Sequence, residues 1–162
     1  MKESGDNDQW KNKVNEVITF SVPFALENIK ENISISSNTP SKPSKEQIIK
    51  QAFDFHSQGN IQEAAKYYQY FIDQGFSHQQ VFSNYGVILS DLGKLKEAEQ
   101  CYRKAIQLNP NYADAHSNLG NILSDLGKLQ DAELYTRKAI EIKPDYAMAH
   151  NNLGIILRDL GN

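Results

Sequence analysis

Along residues 45–160, apolar side chains recur every three or four positions with polar residues between them, the spacing of helices that bury one face. Leu119, Ile122, Leu123 and Leu126 form one such stripe; Leu129, Ala132, Ala139 and Ile140 form the next. Single glycines, Gly59, Gly93 and Gly127, stand where one helix of a pair ends, because a residue without Cβ enters the left-handed conformation of a helix C-terminus unstrained. Pro110 and Pro144 follow the second stripe of each pair and end it, since proline disfavours helical geometry in the residue before it. The pattern predicts short helix-turn-helix pairs. Ser44-Lys45-Glu46-Gln47 has the form of a capping box, so the first helix is expected to begin at about Lys45. Asn60, with Glu63 three residues on, offers an N-cap for the second.

The pairs repeat. The segment from Ser83 to Leu95 returns as Ser117 to Leu129, an offset of 34 residues, and 19 of the 34 aligned positions of 79–112 and 113–146 are identical, too many for unrelated helices. Units fall at 45–78, 79–112 and 113–146, with a partial unit at 147–162. No single pair can bury its apolar face alone, so the units must stack. Gly86 and Gly120 lie inside helices, where glycine costs about 1 kcal/mol relative to alanine, and close backbone approach between helices is the expected compensation.

This pattern resembles the tetratricopeptide repeat family. The family's signature falls on Tyr85, Gly86, Gly93, Ala98, Tyr102, Ala105 and Pro110, and again on Leu119, Gly120, Gly127, Ala132, Ala139 and Pro144, with Thr136 replacing the usual aromatic. The first unit keeps Ala52, Phe55, Gly59, Ala64 and Tyr68 but puts Phe71 and Phe76 where alanine and proline are expected. The resemblance implies an all-α, right-handed solenoid of about three and a half helix-turn-helix repeats.

Residues 1–44 lie outside the repeats and read as a largely irregular tail ending in a Ser/Pro-rich linker. Within them, 17–24 favours extended structure, and Leu26, Ile29 and Ile33 have the spacing of a short amphipathic helix. Residues 17–35 are expected either to stay a loose tail, or to dock on the repeats or belong to an interaction motif. At the other end, 147–162 reproduce only the first helix of a unit, leaving Leu153, Ile156, Leu157 and Leu160 with an uncovered side. That predicts a fragment of a longer repeat protein, or a homodimer in which a second copy covers the face.

Composition narrows the function. The net charge of −3 comes from 17 basic and 20 acidic residues mixed along the chain, which argues against nucleic acid or an anionic membrane as partner. One cysteine, Cys101, and no secretory start point to a reducing cytoplasm. His116 and His150 share a repeat position that suits packing, and neither His56 nor His78 has a Cys or carboxylate at ligand spacing. No catalytic residue, metal or cofactor is expected.

The resemblance further implies that the second, fifth, sixth, ninth, twelfth and thirteenth residues of each unit line a concave groove. Those positions place Asn84, Asn118 and Asn152 in a column, with Asp91, Asp125 and Asp159 at its edge and Ser83, Ser117 and Asn121 between. An asparagine offers both a carbonyl acceptor and an NH2 donor, so a column of them can hold the backbone of an extended peptide. The column is similar to the asparagine ladder in the repeat region of O-GlcNAc transferases. Chaperone-binding repeats instead grip a C-terminal carboxylate with Lys and Arg, and the corresponding positions here are Ile49, Phe53, Ser83, Val87 and Asp114. The expectation is a non-catalytic protein-protein interaction module. Its alternatives are the substrate-recognition arm of a larger transferase and a self-associating scaffold.

Overall fold

The computed structural model describes residues 42–161. The expectations for 1–41, including docking of 17–35, lie outside the described residues. Seven α-helices follow one another, with no strand among the described residues: α1 Lys45–Ser57, α2 Ile61–Asp73, α3 Gln79–Asp91, α4 Leu95–Leu108, α5 Ala113–Asp125, α6 Leu129–Ile142 and α7 Ala147–Leu160. They form the repeat solenoid that the periodicity implies.

Helix ends follow their local chemistry. Ser44 caps α1 reciprocally: its Oγ accepts from the Gln47 amide at 3.3 Å, and Gln47 Oε1 accepts from the Ser44 amide at 2.8 Å. Asn60 departs from expectation. Its side chain makes no cap bond and donates instead to Gln58 Oε1 at 3.3 Å, while Glu63 pairs with Lys66 at 2.6 Å. Gly59, Gly93 and Gly127 take φ of 76°, 72° and 73°, and the residues before Pro110 and Pro144 are extended enough to stop α4 and α6. In the first unit Gly75, at φ 75°, turns the chain where later units use proline, and Phe76 packs on the buried Phe71 at 5.4 Å between ring centroids.

Two glycines set how closely the helices of a unit cross. A Cβ on Gly86 would sit 2.8 Å from the Tyr102 ring, and one on Gly120 would collide with Thr136 Oγ1 and lie 3.1 Å from the Ala132 carbonyl oxygen. Around these crossings runs one continuous core, from Ile48 and Ala52 through Tyr68, Tyr85, Tyr102 and Leu119 to Ile156. Successive first helices, α3 with α5 and α5 with α7, also touch, whereas the second helices make no comparable contact with one another. The first helices therefore form the tighter, inner layer. Across the wider outer gap only long side chains reach: Arg103 donates to Tyr135 Oη at 2.9 Å, and Lys128 pairs with Glu99 at 2.9 Å.

The open end of α7 shows in the same register. Leu119 and Leu123 are fully buried under α6, but their counterparts Leu153 and Leu157 are only half-buried, and nothing lies within 4 Å of a Cβ on Gly154. Ile156 corrects the expected open face. It is 1% exposed, because its side of α7 turns back into the core, and Leu160 also packs against that core.

These environments predict opposite signs for one substitution. Gly120→Ala should destabilise the fold by about 1–3 kcal/mol, because backbone and a buried threonine must move. Gly154→Ala should be neutral or stabilising by up to about 1 kcal/mol from helix propensity. Urea denaturation of the two variants measures both, and equal effects would disprove the close crossing.

Candidate groove on the inner layer

Adjacent first helices enclose the groove. Between α3 and α5 lies a cleft of about 170 Å³ lined by Val87, Ser90, Asp91, Tyr102, Asn118, Asn121 and Ile122. It brings together three of the sequence-predicted site residues, Asp91, Asn118 and Asn121. Val87, the ninth residue of its unit, holds a predicted groove position, whereas Tyr102 and Ile122 were expected only as signature and apolar-stripe residues. For Tyr102 a signal existed: it precedes Asn118 by 16 residues, as Tyr68 precedes Asn84.

The three asparagines are not equivalent. Asn84 Nδ2 donates to Tyr68 Oη at 3.1 Å, and Tyr68 Oη lies 2.8 Å from His56 Nδ1, so one of the two N–H donors of this first rung is already engaged. Burial pushes the Tyr68 phenol up to about 12 against the opposing effect of the Asn84 bond, which keeps it a neutral hydroxyl. No such bond engages the side-chain amides of Asn118, Asn121 or Asn152 among the described residues. Thr136, at the corresponding place before Asn152, turns its hydroxyl to the Ala132 carbonyl at 2.8 Å.

Asp91, Asp125 and Asp159 are exposed along the edge, and Asp159 pairs with Arg158 at 3.3 Å. Ser83 and Ser117 depart from expectation: they are 3% and 0% exposed. Their repeat position faces the inner layer, but the phenols of Tyr112 and Tyr146, entering the next first helix, sit against them. Cys101 is fully buried, and burial raises its thiol well above the usual range, so it stays protonated. No helix among the described residues is long and apolar enough to cross a membrane.

Comparison with known proteins agrees with this geometry. A family model described as TPR repeat matches residues 86–127, and one described as Tetratricopeptide repeat matches 113–146. The chain carries tetratricopeptide repeats. Among solved structures, the TPR array is similar to the first TPR of Spaghetti (RPAP3) bound to an HSP90 peptide, at 24% identity and a TM-score of 0.67, covering 73% of this chain and 94% of that one. It is similar to the second TPR domain of human RPAP3 in complex with an HSP70 peptide, at 22% identity and a TM-score of 0.63, covering 70% and 98%. It is also similar to a mutant O-GlcNAc transferase of Thermobaculum terrenum, at 23% identity and a TM-score of 0.63, covering 70% of this chain but 22% of the transferase. These likenesses are of fold. No curated protein matches the chain.

His116 anchors the TPR helix that carries Asn118 and Asn121. Its Nε2–H donates to the Pro110 carbonyl at 2.8 Å, its ring stacks on Tyr135 at 5.9 Å, and its Nδ1 is buried without a partner. Burial is the largest influence and lowers its pKa below 6.5, outweighing the Pro110 bond, so the folded state prefers the neutral ring. The unfolded chain then binds more protons as pH falls from about 6.5 towards the lowered value, and stability drops across that window. The melting temperature should decline from pH 7 to pH 5.5 by less in His116→Phe than in wild type. His78, whose pKa burial also lowers, accounts for a remaining slope. Identical slopes in thermal melts would exclude the role of His116.

Proposed function

We propose that the chain is a non-catalytic interaction module that holds an extended peptide segment in the groove of its inner layer. The observation that carries this reading is the cleft between α3 and α5, where the amides of Asn118 and Asn121, with no hydrogen bond among the described residues, stand beside the Asp91 carboxylate. Each amide can take both a C=O and an N–H of a passing backbone. Asn152 repeats the position one unit on, whereas Asn84 keeps its carbonyl oxygen and one N–H, the other N–H being given to Tyr68. Asp91, Asp125 and Asp159 favour a neutral or cationic ligand. Two similar arrays hold chaperone peptides, which supports the kind of occupant. The clamp positions of this chain carry no Lys or Arg, so an acidic C-terminus is not the expected ligand.

A peptide selected from a displayed random library on the wild-type protein provides the test. Asn118→Ala and Asn152→Ala should each weaken it about fivefold, the effect of about 1 kcal/mol per lost hydrogen-bonded contact. Asn84→Ala should weaken it less and lower the melting temperature. Unchanged affinity in all three variants would refute the groove reading.

The half-buried Leu153 and Leu157 beside Gly154 favour a second reading, self-association through α7. Sedimentation should then show a concentration-dependent dimer that Leu157→Glu abolishes. A monomer throughout would dispose of it.

A further inference from the structure

The groove positions of successive first helices change in chemistry along the array. Residues spaced i, i+4, i+7 and i+11 form one stripe on a helix. That stripe reads Gln80, Asn84, Val87, Asp91 on α3; Asp114, Asn118, Asn121, Asp125 on α5; and Met148, Asn152, Ile155, Asp159 on α7. On α7 alone the asparagine is flanked by two large apolar side chains that water reaches, Met148 at 45% and Ile155 at 40% exposure.

Their exposure does not come from the open end of α7. The repeat supplies an internal control: Asp114 and Asn121 occupy the same two positions on α5 and remain exposed although both α6 and α7 pack on that helix. A further helix pair stacked in register would cover Leu153, Gly154 and Leu157 and leave Met148 and Ile155 facing the groove. Two aliphatic side chains partly in water thus flank an amide that makes no hydrogen bond among the described residues.

Their position is also placed by register. In the observed cleft, α3 contributes residues 87 and 91, and α5 contributes 118 and 121. One unit on, α5 and α7 touch as α3 and α5 do, and the corresponding residues are Asn121, Asp125, Asn152 and Ile155. Deepening the groove reading, on which it rests, we propose that Met148 and Ile155 form an apolar shelf that selects an aliphatic side chain of the bound peptide, next to a basic side chain drawn by Asp91, Asp114 and Asp125. Neighbouring first helices are packed at about 8–10 Å, and an extended polyproline II chain advances about 9 Å in three residues while bringing positions i and i+3 to the same side. The occupant is therefore a peptide segment with an aliphatic residue three positions from a lysine or arginine.

A peptide of sequence Leu-Ser-Ser-Lys-Ser-Ser-Leu, terminally blocked and fluorophore-labelled, presents that spacing in either chain direction. Its affinity is compared by anisotropy with counterparts carrying Ser for both leucines or Glu for lysine. Wild type should prefer the leucine peptide over its serine counterpart by about fivefold, as partial burial of one aliphatic side chain predicts, and should bind the glutamate peptide more weakly still. Met148→Ser/Ile155→Ser should erase the leucine preference with unchanged thermal melting, since both side chains are exposed. A preference that survives in this variant, or that is missing from wild type, overturns the shelf. If Asn118→Ala/Asn152→Ala weakens every peptide while the leucine preference ignores the shelf, the groove reading stands and this inference falls. If the asparagine changes have no effect while the shelf variant removes the preference, the shelf stands and the asparagine column does not.

Discussion

The close crossing of the two helices in each unit is the constraint on which the rest depends. At Gly86 the neighbouring helix brings a tyrosine ring to where a Cβ would be, and at Gly120 it brings the Thr136 hydroxyl, with the Ala132 carbonyl close behind. That approach lets short helices of 13 or 14 residues bury their facing stripes almost completely, as the fully buried Leu119, Leu123, Ala132 and Ala139 show. A larger residue at the crossing would hold the helices apart and open voids along both stripes. The cost of glycine inside a helix is offset by dispersion attraction along the whole interface.

From that crossing the architecture follows in order. Each pair leaves an apolar flank that only the next pair can cover, so the core is continuous along the array rather than divided among units. The outer layer is bridged by Arg103 to Tyr135 and by Lys128 to Glu99, exposed pairs that add little stability individually but fit the wider spacing. Glu99 illustrates the balance: burial raises its pKa, the bonds from Lys128 and Arg103 lower it, and the bonds prevail. Unequal spacing of the layers curves the array and makes the groove.

Function is read from what the inner layer leaves unsatisfied. Several polar side chains there are engaged or covered: Asn84 bonds Tyr68, and Ser83 and Ser117 are buried beside Tyr112 and Tyr146, Ser117 Oγ with no hydrogen-bond partner among the described residues. The amides of Asn118, Asn121 and Asn152, unbonded among the described residues, and the exposed carboxylates beside them remain. A surface of this kind suits an extended backbone with some charge preference, and Met148 and Ile155 add side-chain discrimination at one end.

Much of this was legible in residue order, because the chain repeats and each repeat carries its own punctuation. The 34-residue offset, the three turn glycines, the two prolines and the Ser44 capping box depend on local backbone chemistry, and each acts in the structure as its residue type requires. The groove column was legible only as positions on a face. Which of them were free depended on residues distant in sequence: a tyrosine 16 residues before Asn84, and tyrosines 29 residues after Ser83 and Ser117. Asn60 makes no cap bond, its backbone at ψ 66° lacking the extended form that Ser44 has at ψ 159°, and Ile156 proved buried because its side of α7 faces the preceding unit. Helix periodicity and helix ends were thus determined by the sequence alone, since both arise from contacts within a few residues. The freedom of each groove side chain was decided only by the tertiary structure, because it depends on which neighbours the stacking of units brings within hydrogen-bond reach.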